Sequence, residues 1–343
     1  MITAHEIYNA NSNDLSCIKD NSVHLIVTSP PYPMIEMWDD MFKTQSPRVD
    51  AYFRNKEFEK AFEEMHLLLD AVWKECNRVL ADNGFICINI GDATRTLDGS
   101  FRLFSNHARI IRCFDAMGYT VLPDILWRKP SNAPNKFMGS GMYPAGAYVT
   151  YEHEYILVFR KGGKRAFCGE SKRLRQESAY FWEERNVWFS DLWEIKGTAQ
   201  VIGTANASRS RSASFPFEVP YRLVNMYSVK GDTVLDPFCG LGTTGLACIA
   251  SERNSIGAEI CSEIASLAKE TIFEQSSKLN LVVKNRLDAH LTFIDSLTRE
   301  KREKCYHNSF HGFPVKTRQE TLLQIKGISR VDRQGDKLIC HYE

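Results

Sequence analysis

"DTVLDPFCGLGTTGLACIASERNSIGAEI", residues 232–260, decides how this chain is read. It divides into a strand, a glycine loop, a helix and a second strand, the pattern of a unit whose strands lie parallel. Gly240 to Gly245 spell G-x-G-x-x-G, and Glu259 follows at about the spacing at which a dinucleotide site sets its ribose-binding acid. Taken alone, this loop predicts a dinucleotide-dependent oxidoreductase. Asp236 argues otherwise. It puts a carboxylate at the end of the strand beside the first glycine, where a pyrophosphate is repelled and a ligand carrying an ammonium and a sulfonium is held. S-adenosylmethionine is such a ligand. The glycines let the backbone approach its nucleoside, and Glu259 can accept from both ribose hydroxyls. Pro237, Phe238, Gly240, Gly242, Thr243 and Thr244 complete this candidate cofactor-binding set.

Outward from this unit the same alternation recurs. "VHLIVT" (23–28) reads as a buried strand that Pro30 and Pro31 terminate, since proline offers no backbone donor. Residues 58–80 carry apolar side chains at helical spacing, Asn83-Gly84 stops that helix, and "FICINI" follows as a strand. A helix from "NHARIIRCFDAMGY" and a strand from "TVLPDILWRK" repeat the plan, and the charges of "YEHEYILVFRK" (151–161) place that strand near a sheet edge. Strands alternating with helices predict an α/β fold with a doubly wound, mostly parallel sheet. Between 162 and 213 the alternation is lost, which reads as an insertion, and the tail from 281 has no assigned element.

Composition is that of a globular protein: 343 residues, 43% apolar, 25% charged, with a net charge of +1 that neither favours nor excludes nucleic acid. The ten cysteines contain no C-x-x-C pair, and no His/Cys cluster has zinc spacing, so reduced thiols and no metal are expected. No run approaches the roughly 20 apolar residues of a membrane span. The first residues lack the basic and apolar regions of a signal peptide, so the expected location is cytoplasmic.

"SPPY" (29–32) and "DPFCGLG" (236–242) together resemble the amino-methyltransferases of DNA, in which a (Ser/Asp/Asn)-Pro-Pro-(Tyr/Phe/Trp) tetrapeptide ends a strand and Asp-Pro-Phe-x-Gly-x-Gly binds S-adenosylmethionine. The resemblance implies the permuted methyltransferase fold of the beta class, with the catalytic tetrapeptide first and the cofactor loop last. It divides the chain into a catalytic half (1–161), a target-recognition insertion (162–213), a cofactor half (214–280) and a C-terminal extension (281–343).

The chemistry explains the tetrapeptide. An exocyclic amine is a poor nucleophile because its lone pair is delocalised into the ring. Two acceptors gripping its N–H bonds hold it out of conjugation. Ser29 Oγ and the Pro30 carbonyl are the candidate acceptors, Pro31 keeps the frame rigid, and Tyr32 stacks on a base flipped out of the duplex. Serine at position 29 points, in family terms, to N4 of cytosine, with N6 of adenine as the alternative.

The resemblance also implicates Phe215 and Pro216 near the methionine end of the cofactor. It puts Asn11 where relatives carry an aspartate that touches the adenine amine. Trp127 and Lys129 match a segment near the flipped base. In the insertion, basic residues run into Phe181, Trp182, Trp188, Phe189 and Trp193, which makes Arg173, Arg175, Arg209 and Arg211 candidate phosphate contacts. The implied partner is double-stranded DNA, with a cognate restriction endonuclease acting on the same site, for a chain working as a monomer or a homodimer.

Overall fold

The computed structural model describes residues 1–129, 138–197 and 215–343. Among these residues ten strands form one sheet: β1 (Ile2–Asn9), β2 (Val23–Thr28), β3 (Leu80–Ile90), β4 (Thr120–Arg128), β5 (His153–Arg160), β6 (Leu192–Glu194), β7 (Thr233–Asp236), β8 (Asn254–Glu259), β9 (Ile328–Gln334) and β10 (Lys337–Tyr342). Their spatial order is β6-β4-β5-β3-β2-β7-β8-β1-β10-β9. The five central strands β3, β2, β7, β8 and β1 run parallel, and β5 is antiparallel to both of its neighbours.

Helices cover both faces, as the alternating sequence predicts. In α1 (Phe58–Val79), Ala61, Met65, Leu69, Val72, Trp73, Cys76 and Val79 are buried, so the spacing of three and four residues becomes one apolar stripe. On the strands the period is two. Ile86, Ile88 and Ile90 of β3 enter the core beneath α1 and α2 (Asn106–Ala116), whereas Cys87 enters the opposite core with α3 (Glu218–Tyr227) and α4 (Thr243–Ile249). Because both faces are covered, β2 is buried from Leu25 to Thr28 and β7 from Val234 to Asp236 without alternation.

Two expectations need correction. Strand β5 is interior, lying between β3 and β4; its charges sit at its ends, while Ile156, Leu157, Val158 and Phe159 are buried. Much of the supposed insertion is woven into the fold. Phe181, Trp188 and Trp193 are buried, and β6 pairs with β4 so that Trp193 lies opposite Trp127. The tail, which had no assigned element, also has structure: beyond α5 (Ser262–Ser276) runs α6 (Leu279–Ser296), and the β9–β10 hairpin extends the sheet beyond β1. All ten cysteines are free.

Candidate active site

Parallel strands present their carboxyl ends on one edge of the sheet, and the candidate residues gather there. Ser29 follows β2, Asp236 ends β7, Glu259 ends β8 and Asn11 follows β1. Strands β2 and β7 are neighbours, with Leu25 opposite Val234 and Ile26 opposite Leu235. The two motifs are therefore side by side. Thr28 ties them directly, its Oγ1 donating to Asp236 Oδ1 at 2.7 Å.

Asp236 is 4% exposed and accepts two further bonds, from Phe238 N at 3.1 Å and from Thr244 Oγ1 at 2.6 Å. Burial pushes its carboxyl up to about 6, against the partial relief those donors give. Thr244 thus acts by orienting Asp236. Gly242 has a φ of +84°, and a Cβ there would meet Ile272 Cδ1 at 2.6 Å, so the turn that brings α4 under the loop admits no side chain. Glu259 is held by Gly240 N at 3.2 Å and Cys261 N at 3.0 Å.

A cavity of about 650 Å³ opens on these groups. Ser29, Pro31, Asn11, Phe215, Asp236, Pro237, Phe238, Gly240, Thr243 and Glu259 all line it. Its lining includes four carboxylates, Glu36, Asp40, Asp236 and Glu259, and no Lys, Arg or His among the described residues. Such a wall suits a cationic nucleoside and disfavours the pyrophosphate of a dinucleotide, which removes the support for the oxidoreductase reading. Asp236, with its buried charge, fits the sulfonium and ammonium end of S-adenosylmethionine, and Glu259 fits its ribose hydroxyls. Pro216 is buried beside Phe215 and leads into α3.

Tyr32 sits behind Ser29, its hydroxyl 3.0 Å from Ser29 Oγ, 2.8 Å from Asn89 Nδ2 and 2.9 Å from Glu154 Oε2. Lys129 forms an ion pair with the other oxygen of Glu154 and lies 4.5 Å from the Trp127 ring centroid, so it does reach the site. The sequence reading missed Thr28, Asn89 and Glu154. The one available sign was an acid at the start of the apolar run "YILVF".

The remaining DNA contacts are revised. Trp127 is 1% exposed and its Nε1 donates to the Ile195 carbonyl at 2.8 Å, so it packs the sheet and cannot touch a base in this conformation. Arg173 and Arg175 lie on the short helix Gly169–Glu177, which belongs to the opposite edge of the sheet: Ser178 Oγ accepts from Lys230 N at 2.9 Å, just before β7 begins. There Arg173 pairs with Glu177 and Arg175 covers Phe167. Arg209 and Arg211 lie outside the described residues. Asp92 shapes the site's flank by accepting from His107 N at 3.0 Å and holding the His107 ring at 2.8 Å.

An α/β sheet with this strand order and an acidic nucleoside cavity beside Ser-Pro-Pro-Tyr defines an S-adenosylmethionine-dependent methyltransferase. The family model described as DNA methylase matches residues 23–270, and the chain belongs to that family. It is 50% identical over 323 residues to the Type II methyltransferase M.MthZI of Methanothermobacter thermautotrophicus, covering 93% of this chain and 89% of that protein. It is 48% identical over 290 residues to the Type II methyltransferase M.MjaI of Methanocaldococcus jannaschii, covering 81% and 94%. Among solved structures it resembles a candidate DNA modification methylase of Thermus thermophilus in complex with S-adenosyl-L-methionine. That match has TM-score 0.61 and 29% identity, covering 79% of this chain and 95% of the other. The PvuII DNA methyltransferase (cytosine-N4-specific) shares the fold at TM-score 0.53 and 18% identity, over 83% and 93% of the two chains. The enzyme is a DNA methyltransferase, and S-adenosylmethionine is its cofactor. No helix among the described residues is long and apolar enough to cross a membrane.

Proposed function

We propose that this chain methylates the exocyclic N4 of a cytosine flipped out of duplex DNA, as the modification member of a Type II restriction-modification pair. The observation that carries the reading is the join between the motifs. The Thr28–Asp236 bond sets the Ser29 hydroxyl on the wall of the same cavity that Asp236 and Glu259 line. When bound, S-adenosylmethionine supplies an electrophilic methyl group.

Ser29 Oγ and the Pro30 carbonyl accept the two N–H bonds of the target amine and direct its lone pair into the cavity. The grip tightens as the nitrogen pyramidalises, so it favours the transition state over the bound base. Pro31 holds the tetrapeptide stiff, and the half-buried Tyr32 ring gives the extruded base an aromatic neighbour. Asn11, Phe215 and Pro216 close the cofactor end. Lys129 reaches the tetrapeptide through its ion pair with Glu154, and the partner is an endonuclease of the same recognition site, with the chain acting as monomer or homodimer.

Mass analysis of nucleosides from DNA treated with the enzyme should find N4-methylcytosine. N6-methyladenine alone would overturn the choice of base. Ser29→Ala should lower turnover on the order of 10²-fold, as for removal of an oriented polar group at a reacting centre, with cofactor affinity near parental. Parental turnover in that variant would remove the role given to the hydroxyl.

A further inference from the structure

The tetrapeptide pattern admits aspartate where this chain has Ser29, and the difference matters chemically. A carboxylate can only accept hydrogen bonds, whereas a hydroxyl both donates and accepts. To grip an N–H, Ser29 must turn its own proton away from the cavity.

The groups behind it determine where that proton goes. Glu154 is only 14% exposed at its side chain, and its Oε1 is paired with the Lys129 ammonium. Its Oε2 accepts from Tyr32 Oη at 2.9 Å and from Asn89 Nδ2 at 2.6 Å. Asn89 is buried, and its second amide proton reaches Tyr32 Oη at 2.8 Å. An Asn89 amide turned the other way would put its oxygen against the carboxylate, so this orientation is the one the charges select. Asn89 Nδ2 also lies 3.4 Å from Ser29 Oγ, a contact longer than the two that take its protons. The ammonium and the Asn89 NH2 group only donate, the carboxylate only accepts, and the single phenolic proton of Tyr32 is committed to Glu154. At the 3.0 Å contact between Ser29 Oγ and Tyr32 Oη the donor must be Ser29. What Ser29 presents to the cavity is lone pairs alone.

We infer that Glu154 is a positioning residue for methyl transfer: through Tyr32 it fixes the direction of the Ser29 hydroxyl, converting an ambivalent serine into a dedicated acceptor for the target amine. This role for Glu154 rests on the one given above to Ser29. It assigns Tyr32 a second duty besides offering its ring, and it gives Lys129 and Asn89 the task of keeping the carboxylate charged and aimed. Charge-assisted bonds of this kind polarise the next bond in the chain, so the effect extends two residues from the carboxylate.

The test is a double-mutant cycle on the full-length enzyme with S-adenosylmethionine and duplex DNA. In Glu154→Gln, Lys129 attracts the amide oxygen and the NH2 group faces Tyr32, which reverses the chain and turns the Tyr32 proton onto Ser29. Turnover should fall about tenfold to a hundredfold, the range for a hydrogen bond to a charged group, while KM for DNA and cofactor affinity stay within about threefold. Tyr32→Phe keeps the ring and should lose a similar factor. The double variant should be no more than about threefold slower than the worse single one, because both cut the same chain.

Parental turnover in either single variant, or losses that multiply, would overturn the inference. A purely structural role would lower the melting temperature and cofactor affinity and give multiplying losses. Should Glu154→Gln fail to fold, Tyr32→Phe alone decides, since a residue used only for its ring would turn over at the parental rate. Ser29→Ala separates the two levels. If that variant is slow while Glu154→Gln is parental, only Glu154 loses its role; if Ser29→Ala is itself parental, the reading of Ser29 falls as well.

Discussion

Asp236 carries a cost that its ligand can offset. Its carboxyl is raised from 3.8 to about 6 chiefly by burial, so the folded chain without cofactor holds the proton up to about pH 6. The sign follows by linkage. Between about pH 4 and 6 the folded state binds more protons than the unfolded one, so stability falls as pH rises through that window. The charge then costs about 3 kcal/mol above it, to order of magnitude. A cationic ligand reverses the preference, because it binds the ionised form. Cofactor affinity should therefore weaken as pH drops below about 6 and level off above it, and a dissociation constant unchanged between pH 5 and 8 would contradict the assignment. Asp236→Asn should lose that pH dependence and bind cofactor about tenfold to a hundredfold more weakly at pH 8, the range for losing a charged hydrogen bond. Its melting temperature without cofactor should equal or exceed the parental one. At this scale the sequence was legible wherever chemistry is local. Asp236, the glycines and Ser-Pro-Pro-Tyr are short motifs. Glu154 and Asn89 are 65 residues apart on antiparallel strands, and no spacing within either announces the other.

Elements were legible when their apolar period was strong and their neighbours regular. Strands β2 and β7 and helices α1 and α4 lie where the pattern predicts them, and β3 contains the expected "FICINI" but begins earlier, at Leu80, so that Asn83-Gly84 lie within the strand. Strand β5 was misplaced because its terminal charges were read as solvent exposure, whereas Glu154 is used at the catalytic edge and Arg160 lies at the far one, opposite Phe85. The stretch from 162 to 193 misled for a related reason. Its aromatics follow basic residues in sequence, but Phe181, Trp188 and Trp193 are buried in the fold. Arg286 lies over Phe181 and Trp188 and pairs with Glu184, fastening the segment to α6. The basic part is left at the edge opposite Ser29. Replacing Arg173 and Arg175 together by Ala should consequently leave DNA affinity within about twofold and the salt dependence unaltered. Two lost phosphate contacts would instead reduce the log-log salt slope by about 1.8. A titration of duplex binding against salt concentration distinguishes the two, and a reduced slope would return these arginines to the DNA interface.

For the whole molecule, the feature least visible in the sequence is how the chain's last strands complete its first. "ITAHEIYN" alternates weakly and carries no turn signal, so β1 was not foreseen, and β10 pairs with it from Ile2 opposite His341 to Glu6 opposite Lys337. Leu338, Cys340 and Tyr342 are buried on one face of the hairpin, joined by Ile328. Tyr342 Oη donates to the Ile249 carbonyl at 2.9 Å, connecting the hairpin to α4, whose first turn orients Asp236 through Thr244. The hairpin thus braces the helix under the cofactor loop from outside the region that the family model covers. Burying four such side chains contributes roughly 6 kcal/mol or more, comparable to the whole stability of an ordinary domain. Ending the chain at residue 327 would also leave β1 as a bare edge strand. That truncated protein should aggregate or lose its cooperative melt. Tyr342→Ala, a milder change, should destabilise by about 3–5 kcal/mol, the range for emptying a buried aromatic site, and should leave turnover at low temperature near parental. A truncated chain that melts within a few degrees of the full-length protein would show that the sheet closes without its last two strands.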